Sequence, residues 1–175
     1  MKVLIINILF SIYCLSTNAQ VKFNYSSALK HFESQVGIWK ADNSVYRNEN
    51  EPMTSYVIEW KYGELKNSVY GKLYGLIDSV NVGTFWEFHQ YWNPNTSRIE
   101  FIQISGDGTI GSGSLIQLNN SEYELIQLFT NTKNETRYEK HSYLKPNANT
   151  ELTSSFEQDK DGNWIKKRTY TWVKI

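Results

Sequence analysis

Beyond Gly37, apolar and polar side chains alternate with a period of two, which is typical of β-strands that bury one face. Clusters of Asn, Asp, Gly and Pro interrupt this alternation at 48–52, 93–95, 106–108, 119–120, 146–147 and 161–163, and such residues favour tight turns. The pattern predicts ten strands over 38–47, 53–62, 66–77, 82–92, 97–105, 109–118, 122–131, 135–145, 150–158 and 163–174.

A helical pattern precedes the strands. Leu29, Phe32 and Val36 recur at helical spacing, Ser26 or Ser27 can cap the first turn, and Gly37 ends the segment. We therefore predict one helix over 25–36. One short helix followed by about ten closely spaced strands predicts an all-β fold, an antiparallel up-and-down barrel.

The alternation also sorts the two faces of each strand. In strand 53–62 the inward set is predicted to be Tyr56, Ile58, Trp60 and Tyr62, and in strand 82–92 it is Trp86, Phe88, Gln90 and Trp92. Gly71 and Gly75 share one face of strand 66–77, a pattern found where a barrel strand bends sharply or where another backbone passes close. A register error of one residue would exchange the two faces.

The first twenty residues have the pattern of a signal peptide. A basic start at Lys2 is followed by an apolar run over 3–13, and the small residues Thr17 and Ala19 stand three and one positions before Gln20. We expect residues 1–19 to be removed and 20–175 to form one domain that is secreted or periplasmic. Cys14 would leave with the signal, so disulfides are not expected. No later stretch has the roughly twenty apolar residues of a transmembrane segment.

Charge and composition narrow the function classes. The 18 Lys and Arg residues balance the 18 Asp and Glu residues, so no long-range field favours binding to nucleic acid. Aromatic residues form 15% of the chain and suit either a packed core or the wall of an apolar cavity. The histidines, His31, His89 and His141, are too far apart in sequence for a metal-site motif, and we assign neither a metal site nor a catalytic residue.

A family resemblance rests on Gly37-Ile38-Trp39, directly after the predicted helix, and on Arg168 in the last strand. With Glu59-Trp60, Trp92-Asn93-Pro94 and Gly106-Asp107-Gly108, the chain resembles lipocalins, their calycin relatives and uncharacterised lipocalin-like families of secreted bacterial proteins. The resemblance implies a barrel in which Trp39 closes one end, with the Arg168 guanidinium stacked on its indole. It also implies an internal ligand site, but no shared chemistry.

The leading hypothesis is non-catalytic binding of a small apolar or amphipathic molecule in the lumen. The predicted wall residues are Trp60, Tyr70, Trp86, Phe88 and Tyr138, with Arg168 or His89 as the polar group that orients the ligand. The enzyme alternative is an isomerase or cyclase using Glu59 or His89 as acid or base, with an arginine stabilising negative charge. The third alternative is a structural or interaction barrel with a packed core.

The cofactor is left open by the residues alone. Some small ten-stranded barrels related to the resembling group bind haem through one histidine, which would make His89 or His141 an axial ligand. The oligomeric state and the identity of the ligand are likewise left open.

Overall fold

One helix and ten strands follow one another in the computed structural model, which describes residues 22–175. Every predicted strand is present, and most ends lie within two residues of their predicted positions. The bounds are α1 Tyr25–Gln35, β1 Gly37–Asp42, β2 Ser55–Tyr62, β3 Ser68–Ile77, β4 Val80–Asn93, β5 Arg98–Ser105, β6 Ile110–Gln117, β7 Glu122–Thr130, β8 Thr136–Asn147, β9 Thr150–Gln158 and β10 Trp164–Lys174.

The ten strands form a closed antiparallel barrel. Each strand pairs with its neighbour in sequence, and β1 also pairs with β10, with Trp39 opposite Lys174. Because closure satisfies the backbone groups of both terminal strands, the sheet has no free edge. The predicted up-and-down barrel is confirmed. β1 is shorter than predicted, since the chain leaves the sheet after Asp42 and turns before β2.

Helix α1 covers the end of the barrel at which β1 begins. Its first turn is capped by Asn24, whose Oδ1 accepts a 2.8 Å hydrogen bond from the Ser27 backbone N–H, while the Ser27 hydroxyl accepts one from the Asn24 N–H. Asn24, rather than the predicted Ser26 or Ser27, is thus the N-cap. The buried face, which includes Ala28 and Phe32, packs into the barrel core.

Trp39 closes this end, but Arg168 does not stack on it. The indole N–H donates a 2.7 Å hydrogen bond to the Gln35 carbonyl, and the Lys145 and Lys174 Nζ atoms lie 5.4 and 5.3 Å from the ring centroid. Arg168 stands six positions before Lys174 on β10, which is about 20 Å along a strand. The prediction that Arg168 covers Trp39 is therefore wrong, and two lysines take its place.

Gly37 permits the approach of one of these lysines. Its φ of 134° is a conformation that favours glycine, and a Cβ there would lie 2.5 Å from Cε of Lys174. The glycine before Trp39 therefore serves the closure of the barrel end, although through Lys174 and not through Arg168.

The predicted signal peptide, residues 1–19, and Cys14 lie outside the described residues. Within residues 22–175 no helix is long and apolar enough to cross a membrane.

Candidate ligand-binding cavity

A cavity of about 560 Å³ occupies the barrel interior. That volume lies within the range of small-molecule sites, so the interior is not packed solid. Side chains from α1 and from β2 to β10 line it. The apolar part of the wall consists of Ile58, Trp60, Leu73, Trp86, Phe88, Phe101, Leu115 and Trp172, and the polar part of His31, Gln35, Gln90, Gln103, Tyr123, Glu139, His141, Tyr143, Glu151, Thr153, Ser155, Arg168 and Tyr170.

Aromatic rings on adjacent strands form the most regular part of the wall. Trp60 and Phe88 stack with centroids 5.4 Å apart, and Phe101 meets the Trp60 ring edge-on at 6.1 Å. Gly71 on β3 makes room for the indole, because a Cβ there would lie 2.6 Å from the Trp60 ring. Trp86 continues the wall towards the end opposite α1. The predicted inward faces of β2 and β4 are thus confirmed.

At the α1 end, the polar wall contains a neutral histidine. His31 Nε2 lies 3.0 Å from Gln90 Oε1, and Nδ1 has no hydrogen-bond partner among the described residues. Burial, with the nearby positive charge of Lys145, lowers the pKa of His31 to about 3. Its imidazole is therefore uncharged at neutral pH.

An ion pair lies next to His31. Glu151 accepts a 3.5 Å hydrogen bond from the Gln35 amide, and its Oε2 is 3.4 Å from Nζ of Lys145. Lys145 also donates to the Ser34 hydroxyl at 3.0 Å. These contacts join α1 to β8 and β9 and fix the helix over the barrel end.

His141 is the second neutral histidine of the wall. It stands on β8 between Glu139 and Tyr143, and burial lowers its pKa to about 4. Its Nε2 is covered by protein atoms, 3.8 Å from a Glu139 carboxylate oxygen, and has no hydrogen-bond partner in the described chain. Residues 22–175 contain no cluster of three His, Cys, Asp or Glu side chains that could hold a metal ion.

Arg168 belongs to a polar network at the opposite end. Its Nη2 donates a 2.6 Å hydrogen bond to one Glu51 oxygen, and its Nη1 donates to the other. The Tyr56 hydroxyl also donates to Glu51, at 2.6 Å, and the Tyr170 hydroxyl accepts from Arg168 and donates to Asn43. Although burial alone would raise the pKa of Glu51, these hydrogen bonds hold it below its usual value.

This network joins the loop between β1 and β2 to the last strand. A register irregularity between Lys166 and Arg168 interrupts β10, and bulges of this kind redirect the side chains that follow. Beyond it, Arg168, Tyr170 and Trp172 all line the cavity. The loop that carries Glu51 is thereby held against the barrel end opposite α1.

Four residues predicted to act in the lumen lie on the outer face instead. Tyr70 and Tyr138 are 50% and 47% exposed, and His89 stacks on Tyr70 with ring centroids 4.2 Å apart. His89 stands between the inward Phe88 and Gln90, so alternation turns it outwards. Glu59 forms outer-surface ion pairs with Lys61 and Lys72 at 2.7 and 3.0 Å. The placement of all four in the lumen is corrected accordingly.

Trp60, Trp86, Phe88 and Arg168 do line the cavity, as predicted, and their role in ligand binding stays a prediction. Of the two histidines considered for haem, His89 lies outside. His141 lines the cavity, with its Nε2 covered next to Glu139, and a role as haem ligand stays a prediction. The alternation of β8 could have indicated Glu139, His141 and Tyr143 as a single face.

Comparison with known proteins gives no family. No family model matches the chain, and no curated protein is significantly similar to it. The fold and the site alone therefore define its class, which is a closed ten-stranded antiparallel barrel with an aromatic-walled internal cavity.

Proposed function

We propose that this protein binds a small apolar or amphipathic molecule inside its barrel and leaves it chemically unchanged. The observation that carries the proposal is the 560 Å³ cavity whose wall combines stacked aromatic rings with a few buried polar groups. Aromatic side chains supply contact area, while sparse polar groups orient the ligand.

Binding is favoured over proton-transfer catalysis by the state of the ionisable groups in the wall. A general acid or base works best with a pKa near the operating pH. The pKa values of His31 and His141 are about 3 and about 4, because both are buried, which makes them weak bases. Glu59 and His89, the residues considered for an isomerase or cyclase, lie outside the lumen.

We further propose that the barrel is lipocalin-like and exported. The lipocalin-like assignment is supported by Gly37 and Trp39 at the closed end, next to a short helix. Export is supported by the N-terminal pattern of a basic start, an apolar run and a small-residue cleavage site. The mass of the protein purified from its host tests this, because a mature chain beginning at Gln20 is expected.

Native mass spectrometry of the same material tests the binding proposal. We expect a stoichiometric adduct that is released on denaturation and can be identified. In parallel, the purified protein should bind the neutral apolar dye Nile red with saturable fluorescence. A protein without adduct that also fails to bind the dye would overturn the proposal.

Two variants localise the binding. Trp86→Leu removes part of the cavity wall and should weaken dye binding about fivefold or more, as expected for the loss of about 1 kcal/mol of aromatic contact. Tyr138→Leu removes an exposed aromatic ring from the outer face and serves as the matched control. Equal weakening in both variants would place the dye outside the barrel.

A further inference from the structure

We infer that the cavity is built for an uncharged ligand, one with an apolar body and a hydroxyl, carbonyl or amide group. The inference rests on the proposed binding function and specifies its ligand class. It is carried by one feature of the wall: within residues 22–175, each charged side chain that lines the cavity is already paired with an opposite charge of the protein.

Arg168 is the side chain that an anionic ligand would need. Both of its terminal nitrogens bond to the two oxygens of Glu51, in the two-point geometry that a ligand carboxylate would otherwise use. Glu51 is held in turn by the Tyr56 hydroxyl and is only 14% exposed. A carboxylate ligand would have to displace Glu51 from Arg168 or share the Arg168 guanidinium with it. In either case the carboxylate of Glu51 or of the ligand would lack a full counter-charge.

The two carboxylates of the wall are compensated in the same way. Glu139 accepts a 2.7 Å hydrogen bond from Nε of Arg137, and Glu151 lies 3.4 Å from Nζ of Lys145. An ammonium ligand would compete with these cations of the protein. Moving a charged head group from water into this aromatic lumen therefore loses hydration without gaining an available counter-charge.

The rest of the polar wall is neutral. His31 and His141 carry no charge at neutral pH, since burial keeps their pKa values at about 3 and about 4. Gln90, Gln103 and Ser155 add uncharged donors and acceptors. Such groups pair well with a hydroxyl, a carbonyl or an amide.

A matched set of probes tests the preference. 2-Naphthalenemethanol, 2-naphthoate and 2-naphthylmethylammonium share one aromatic body and differ in charge, and decanol, decanoate and decylammonium repeat the comparison on a linear body. Affinities at pH 7.5 are measured by displacement of Nile red. We expect the alcohol to bind at least tenfold more tightly than either ion of the same body.

The outcomes separate this inference from the proposed function. An ion that binds as tightly as the matching alcohol overturns the inference while leaving the binding function in place. A protein that binds neither Nile red nor any of the six probes overturns the proposed function itself.

Charge-release variants give a second test. Glu51→Gln leaves Arg168 without its carboxylate partner and should raise the affinity for 2-naphthoate at least tenfold, with little change for the alcohol. Glu151→Gln likewise leaves Lys145 without its carboxylate partner. It serves as the test variant if Glu51→Gln does not fold. Glu59→Gln removes the same charge from the outer face, and we expect it to change neither affinity. If naphthoate affinity stays at the wild-type level in both Glu51→Gln and Glu151→Gln, the inference is wrong.

Discussion

Two buried histidines should make the barrel lose stability as the pH falls from 8 to 5. Burial lowers the pKa of His31 to about 3 and that of His141 to about 4, whereas an exposed histidine in the unfolded chain titrates near 6.5. As the pH falls, the histidines of the unfolded chain take up protons before those of the native state. The stability that the two buried histidines contribute is therefore complete only above about pH 6.5. This stabilisation decreases steadily as the pH falls towards the folded-state pKa values.

The size of the loss follows from the two pKa differences. At pH 5 the unfolded chain gains about 2 kcal/mol from protonation of each histidine, so the barrel should be about 4 kcal/mol less stable than at pH 8. Carboxylates such as Glu51, whose pKa is held low by Arg168, reduce stability only below about pH 4.5, where the unfolded chain begins to protonate its carboxylates. The range from pH 8 to pH 5 therefore reports mainly on the histidines.

Urea unfolding at a series of pH values, followed by tryptophan fluorescence, measures this loss directly. His141→Gln removes one titrating group and should reduce the decrease by about half, to about 2 kcal/mol. His89→Gln removes a half-buried imidazole from the outer face; burial lowers the pKa of His89 as well, but the two fully buried histidines remain, so this variant should retain most of the decrease. A wild-type decrease below about 1 kcal/mol, or an equal decrease in His141→Gln, would refute the reasoning.

Three further changes test the packing and the ion pairs by the same unfolding measurement. Gly113→Ala places a methyl group against the backbone of β7 and should lower the free energy of unfolding by about 3 kcal/mol. Gly106→Ala, which has open space around it, should change that free energy by less than about 0.5 kcal/mol. Equal effects of the two substitutions would contradict the packing. Arg168→Lys should lower the free energy of unfolding by only about 1 kcal/mol, because the guanidinium is partly exposed to solvent. It should also raise the pKa of Glu51, and an unchanged carboxyl titration by NMR would disprove the two-point contact. Trp39→Phe loses the hydrogen bond to α1 and should destabilise by about 2 kcal/mol, and wild-type stability would show that this contact is dispensable.

The strands and their faces could be predicted because alternation and turn residues are local signals. In β2 and β4, large aromatic side chains recur at every second position, and the cavity lies on the side that they predict. The end of β1 was less predictable, since the turn cluster taken to mark it, 48–52, begins several residues after Asp42. There the Asn43 backbone N–H donates a hydrogen bond to the Thr54 carbonyl, and the chain begins a turn at Asn43. This strand end is set by tertiary contacts and not by the local pattern.

The cavity wall was harder to predict where a strand has polar residues on both faces. In β8, Tyr138 is flanked by Arg137 and Glu139, so neither face is marked by hydrophobicity. Its aromatic character suggested an inward position, but Tyr138 is exposed and Glu139 lines the cavity. A ring on the surface and a carboxylate in the wall are both compatible with the pattern, because burial is decided by the partners across the barrel.

Contacts between residues far apart in sequence also explain why charged residues in and around the cavity wall do not by themselves indicate a reactive site. Glu51 meets Arg168 across 117 residues of sequence, and Gln35 meets Glu151 across 116. The first contact holds the loop between β1 and β2 to the last strand, and the second, with Lys145, holds α1 over the other end. The charged pairs at the two ends of the barrel therefore hold α1 and the loop between β1 and β2 in place. Arg168 and Glu59, which suggest anion binding or catalysis in the sequence, each have an oppositely charged structural partner in this fold.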